Sequence, residues 1–261
     1  MRNRNLTICV IAMICICVFN LPQATAMTYF DDGKTHEIDY PINDYVFVKN
    51  SSSGTSTTLK LLPNGTVNNY LYALEDSQVT ISGGSVNQYL YACDDSRVTL
   101  SSGAVGRSLI TRENSKVTLS GGVVNNILEA LENSEITFSD GSVNNNLEAC
   151  DNSKITISGG SISGTIYAGY NSDANSTLII SGRSFAIDGN SVGDGEYLAS
   201  DFPSGHITGT LESGDLLDND FKIRGDATLV LETPEPASLS LLSLGGLSLR
   251  LCSGQASRNK R

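Results

Sequence analysis

Histidine is nearly missing from this chain of 261 residues, which holds only His36 and His206. Neither lies in the repeated part of the sequence or has a partner implied by spacing, so no imidazole-based metal centre or general base is indicated. Cysteine is scarce where it would matter. Of six, Cys9, Cys15 and Cys17 belong to an N-terminal apolar run and Cys252 to the C-terminal tail, which leaves Cys93 and Cys150. These two share a repeat column three periods apart, roughly 14 Å if each turn of chain rises about 4.8 Å, whereas a disulfide spans at most about 7 Å. No disulfide framework follows, and both read as small buried residues interchangeable with Leu74 and Leu131. Basic residues are few, 17 Lys and Arg against 28 Asp and Glu for a net charge of −11. Such a surface excludes nucleic-acid binding through phosphates and adhesion to anionic lipid. Long hydrophobic runs are absent too. The apolar stretches 6–19 and 237–249 are both shorter than the roughly 20 residues a membrane-crossing helix needs.

What the chain does have is a repeat. Gly65, Gly84, Gly103, Gly122, Gly141 and Gly160 recur at a spacing of 19, and a period of this size belongs to stacked architectures. One apolar column is Val67, Val86, Val105, Val124, Val143 and Ile162; a second is Leu71, Leu90, Leu109, Leu128, Leu147 and Ile166. Further on, Val79-Thr80-Ile81, Val98-Thr99-Leu100, Val117-Thr118-Leu119, Ile136-Thr137-Phe138 and Ile155-Thr156-Ile157 alternate apolar and polar, the signature of a half-buried strand. Units rich in β-branched residues and broken by Gly, Asn and Asp-Ser pairs cannot hold a helical period. One unit cannot bury its own apolar face, but stacked units can. The expected fold is therefore all-β, a single-stranded parallel β-solenoid (β-helix) of 19-residue coils.

The other columns read as corners. Asp76-Ser77, Asp95-Ser96, Asn114-Ser115, Asn133-Ser134 and Asn152-Ser153 supply turn-forming side chains. Ala73, Ala92, Ala130, Ala149 and Ala168 suit a tight inner corner. Asn68-Asn69, Asn125-Asn126 and Asn144-Asn145 would form amide ladders if stacked in register. A plain turn role also accounts for them, since Gly106-Arg107 and Ser163-Gly164 replace them without disturbing the period.

Around the repeat, 65–182, the chain divides readily. Arg2 and Arg4 before the apolar run and Ala24-Thr25-Ala26 after it are the parts of a secretory signal peptide, residues 1–26. Residues 27–64 lack the clean period, carry predicted strands at Val46-Phe47-Val48 and Leu59-Lys60-Leu61, and are expected to cap the open edge of the stack. Extra residues between Asn171 and Thr177 map to a corner, and 183–232, with a strand at Leu229-Val230-Leu231, is expected to close the other end. The tail, 233–261, has Pro234-Glu235-Pro236, an apolar segment expected as a short helix, then Arg250, Arg258, Lys260 and Arg261. A proline break, an apolar run and terminal basic residues make a membrane-held sorting signal with its positive end cytoplasmic.

On Pro234, Glu235, Pro236, the following Ala237-Ser238-Leu239 and Arg250, the tail resembles the PEP-CTERM sorting signal of exported bacterial proteins. Only Arg250 stands directly behind the apolar run, where that family usually packs several arginines. The 19-residue units, and Ser184-Phe185-Ala186-Ile187-Asp188-Gly189 after them, are similar to repeats of secreted PEP-CTERM proteins. The resemblance implies export to the cell envelope or surface, release to the extracellular matrix as one outcome, an exosortase-type processing enzyme as partner, a membrane contact through the tail, and an extracellular polysaccharide nearby.

Candidate sites are few. Glu75, Asp94, Glu113, Glu132 and Asp151 form an acidic column that could collect Ca²⁺. Arg97, Lys116 and Lys154 stand three residues later to offset it, so a solvated face is expected, with no metal and no cofactor. Tyr70, Tyr72, Tyr89 and Tyr91 form an outward aromatic patch, either a contact for sugar rings or ladder packing between strands. The expectation is a non-catalytic, structural or adhesive surface protein. The rival is a carbohydrate-active β-helix enzyme, a polysaccharide lyase or hydrolase, which would need paired carboxylates in a cleft built by inserted loops.

Overall fold

A computed structural model describes residues 26–170 and 175–234. The described residues are all strand and turn, with no helix, and wind into a parallel β-solenoid of about eight turns between Met27 and Ile187. In the regular part each turn supplies a short strand such as Leu90–Ala92 and a long one such as Arg97–Val105. The long strand bends at the glycine column, where Gly103, Gly122 and Gly141 take positive φ and the pairing shifts register. Pairing between turns is parallel, and like residues meet. Val98 lies between Val79 and Val117, and Leu109 between Leu90 and Leu128.

That register explains the glycines. A Cβ added at Gly103 would strike the carbonyl oxygen of Gly84, and one at Gly84 the carbonyl of Gly65. The backbones of successive turns pass too closely at the bend for any side chain. Inside, Val79, Ile81, Val86, Leu90 and Ala92 are at most 1% exposed, as are their equivalents in the turns on either side. Each large aliphatic among them contributes on the order of 2 kcal/mol by leaving water. The alanine column differs from its expected corner position. Ala73, Ala92, Ala130, Ala149 and Ala168 end the short strands and point into the core.

Both ends are built from the same stack. Within residues 27–64, Met27–Phe30 pairs with Tyr45–Val48, Val46–Val48 pairs with Leu71–Ala73, and Thr58–Leu61 pairs with the strand that starts at Gln78, all parallel. Two turns of unequal length thus join the regular ones. Their strands keep the apolar alternation, and the surplus residues between Lys49 and Thr57 are taken up outside the ladder, where loop length costs little. After Gly182 the chain leaves the stack. Gly182–Ile187 pairs antiparallel with Ile207–Leu211, and Ser204–Thr210 with Leu216–Lys222. It then returns, so that Phe221–Ile223 stacks on Ile166–Ala168 and Thr228–Glu232 on Thr177–Ser181. Gly195–Leu198 lies antiparallel along Thr228–Leu231 and covers that edge.

Candidate functional site

The outward side chains of a solenoid stack as its core does, so each column becomes a ribbon along the axis. On the short-strand side, Tyr29, Phe47, Tyr72 and Tyr91 stack at ring-centroid distances of 5.1, 4.9 and 5.0 Å. Beside them Tyr45, Tyr70 and Tyr89 stack at 5.1 and 5.3 Å, with ring planes within 7° of parallel. Lys49 sits over Tyr29 and Arg107 over Tyr89, at 5.6 and 5.8 Å from the ring centres. Tyr70, Tyr72, Tyr89 and Tyr91 are therefore brought together as four rungs of two ladders, each half-buried. Their π-faces are turned to one another. Burial and neighbouring tyrosines raise the phenol pKa of Tyr72 and Tyr91 above the usual value.

The amides follow the same rule. Asn87 Nδ2 donates to Asn68 Oδ1 at 2.7 Å, Asn144 to Asn125 at 3.0 Å and Asn145 to Asn126 at 2.9 Å. Glycine interrupts the ladders for a steric reason, since a Cβ at Gly106 would run into the Asn87 backbone.

The acidic column faces solvent and is also bonded along the stack. Glu75, Asp94, Glu113, Glu132 and Asp151 occupy left-handed backbone, with φ from 53 to 59°, at a cost of about 1 kcal/mol each for residues with a Cβ. Each carboxylate accepts the backbone N–H of the turn before it: Asn50 to Glu75 at 2.8 Å, Glu75 to Asp94 at 2.7 Å, Asp94 to Glu113, Glu113 to Glu132 and Glu132 to Asp151, the last two at 3.0 Å. These charge-assisted bonds offset the backbone cost. Lys116, expected to neutralise this column, pairs instead with Glu135 at 2.9 Å. The serines of the same corners make the local turn bonds expected of them, Ser115 and Ser134 Oγ–H to the carbonyls of Arg112 and Leu131 at 2.7 Å, and they are buried. Ser77, Ser115 and Ser134 donate Oγ–H to carbonyls of the turn before, those of Val48, Ala92 and Thr111.

One cluster was not singled out from the sequence. The outward column Tyr72, Tyr91, Ile110, Glu129, Glu148 and Tyr167 changes character halfway. Glu129 and Glu148 are register partners on adjacent strands, and Glu148 is only 5% exposed. Asn146 Nδ2 donates to Glu148 Oε1 at 3.1 Å, and Cys150 Sγ lies 4.0 Å from Glu129 Oε1. Burial raises both carboxyl pKa values, and for Glu129 the charge of Glu148 adds to it. Reading the column three residues after each Asn-Asn corner would have found the pair.

The free thiols Cys93 and Cys150 have pKa values pushed up by burial to about 11 and about 12, which makes them poor nucleophiles. His36 contacts Asp32 at 2.8 Å near the N-terminal end, far along the chain from His206. His206 bridges Asp220 at 3.0 Å and Asp218 at 2.7 Å on the excursion, and those hydrogen bonds raise its pKa. Among the described residues no group of three or more His, Cys, Asp or Glu is arranged to hold a metal ion. Pro234 is the last described residue; residues 1–25 of the expected signal, and Glu235, Pro236, Arg250 and the apolar run of the expected sorting signal, lie outside the described residues. Comparison with family models, with curated proteins and with solved structures returns no match, so this chain's geometry must speak for its function alone.

Proposed function

We propose that the chain is a non-catalytic exported rod of the cell surface or extracellular matrix, structural or adhesive, delivered by its PEP-CTERM-like tail. The observation that carries this reading is the destination of the outward functional groups. Corner carboxylates are bonded to backbone amides of the adjacent turn, asparagines to asparagines, and tyrosine faces to tyrosine faces. Chemistry directed along the axis rigidifies a rod and leaves long, regular sides for contact with a matrix. Extracellular polysaccharide is the partner proposed for those sides, with Tyr70, Tyr72, Tyr89 and Tyr91 as contacts through hydroxyls and ring edges.

One observation favours the carbohydrate-active enzyme. Glu129 and Glu148 are adjacent carboxylates in different degrees of burial, the type of pair that divides acid and base roles between two groups. Incubating the protein with acidic and neutral exopolysaccharides separates the readings: retention without chain shortening supports the adhesive rod, and depolymerisation abolished by Glu148→Gln supports the enzyme. For delivery, deletion of residues 234–261 is expected to move the folded protein from the cell fraction to the medium of the native host. A truncated protein that stays cell-bound would overturn the sorting proposal.

A further inference from the structure

The Glu129–Glu148 pair calls for its own explanation, because the stacking that helps every other column works against this one. Parallel strands about 4.8 Å apart hold the two side chains on the same outer side, in register. At full exposure two such charges would repel by about 1 kcal/mol, but Glu148 is 5% exposed and water cannot screen them so well. Neither carboxylate has an ion-pair partner within 4.0 Å among the described residues.

The surroundings are specific. On the strand before, Leu109–Thr111, Ile110 is the register partner of Glu129, and Arg112 just beyond it partly offsets the repulsion at Glu129. On the strand after, Ile166–Ala168, Tyr167 is the partner of Glu148, with Lys222 and Arg224 placed over the tyrosine ring. At the strand's end lies the Cys150 thiol, and at the corner Asp151 adds negative charge. Asn146 has its amide orientation fixed from the next turn, since the Thr165 N–H donates to its Oδ1 at 3.1 Å while its Nδ2 donates to Glu148. Glu148 Oε1 is thus supplied with an amide donor and Glu129 Oε1 with the weak Cys150 S–H donor, and among the described residues no other side chain donates to the pair.

We propose that Glu129 and Glu148 share one proton in the folded solenoid, so that mild acid tightens the stack at these two turns. The proton comes from solvent, and one carboxyl donates its O–H to the other's carboxylate oxygen in a charge-assisted hydrogen bond. The buried site then carries one negative charge instead of two. Because folding raises both carboxyl pKa values, the folded chain binds the proton more tightly than the unfolded one. Stability from the pair is therefore full below the unfolded value of about 4.3 and is lost as pH rises through the raised folded values.

The test is thermal melting of the intact protein at pH 5.0 and 7.5, as wild type, Glu148→Gln and Glu129→Gln/Glu148→Gln. The window lies above the range in which Asp32 and Asp215, whose pKa values are lowered, take up protons. His206 also titrates toward greater stability in acid, but it is present in every variant and cancels in the difference. Expected are a larger gain in Tm on acidification for wild type than for the double variant, and a Glu148→Gln protein that melts a few degrees above wild type at pH 7.5. Infrared spectra of the wild type at pH 6 should show a protonated carboxyl band that the double variant lacks. A Glu148→Gln protein that folds but melts below wild type at pH 7.5, or a wild-type spectrum without that band, would overturn the proposal. The wild-type spectrum decides the matter even if the variants do not fold.

Discussion

Two sets of carboxylates run along this molecule, at the same axial spacing and on the same turns, with opposite consequences. At the corner, Glu113 and Glu132 each turn a carboxylate toward a backbone N–H of the turn before, and solvent surrounds them. On the short-strand side, Glu129 and Glu148 stand beside each other as register partners, one half-buried and the other 5% exposed. In-register stacking multiplies whatever a column holds. It multiplies a favourable contact where a donor is within reach and a repulsion where none is, and burial decides how much the repulsion costs.

The comparison can be broken most severely by placing a carboxylate where it has neither donor nor solvent. Val117 is 1% exposed between Val98 and Ile136, so Val117→Asp should cost more than about 4 kcal/mol and yield a chain without a cooperative melt. A variant that melts like the parent would refute the column assignment. Next in size is the aromatic counterpart of the face pair. Tyr72 lies between Phe47 and Tyr91, and Tyr72→Ala removes both stacking contacts, for an expected loss of about 2 kcal/mol by chemical denaturation. At the corner, Glu113→Ala deletes the acceptor for the Asp94 N–H and should cost about 1 kcal/mol, whereas Glu113→Gln keeps an acceptor and should change stability by less than about 0.5 kcal/mol. Equal losses in the two variants would mean that charge, not acceptance, matters there. Smallest of all, the wild-type protein should match the Cys93→Ala/Cys150→Ala variant in electrophoretic mobility with and without reductant; a reductant-sensitive intramolecular crosslink in the wild type that the variant lacks would contradict the register.

The regular turns were legible because period and chemistry agree there. A glycine every 19 residues and an apolar-Thr-apolar strand between corners leave one way to stack, and Val98 meets Val117 as the columns require. The two turns within 27–64 were harder to see. Their strands obey the same pattern, but corners of unequal length erase the period, and sequence spacing records corners as faithfully as strands. The last turn was hidden differently. Phe221–Ile223 returns to the stack only after an antiparallel excursion, and no local pattern announces which earlier strand it will meet. At the candidate sites the tyrosine patch was visible as a column, but whether rings offer faces or edges depends on side-chain rotation, which repeats alone do not encode. The acidic column was visible and its partners were not. A left-handed backbone at Glu75 and its equivalents is what aims each amide at the next carboxylate, and glycine or asparagine, the usual signals of that conformation, are absent there.

The edge strand Gly195–Leu198 gives the molecule a definite end, and with it a definite length. Each regular turn accepts the turn before it and presents an equivalent surface to the turn after it, so nothing in the middle of the rod records how many turns there should be. Gain or loss of one 19-residue unit would leave both ends intact and change the reach of the rod by one step of about 4.8 Å. Gene duplication could adjust this protein like a ruler, one graduation at a time, with the stop already in place.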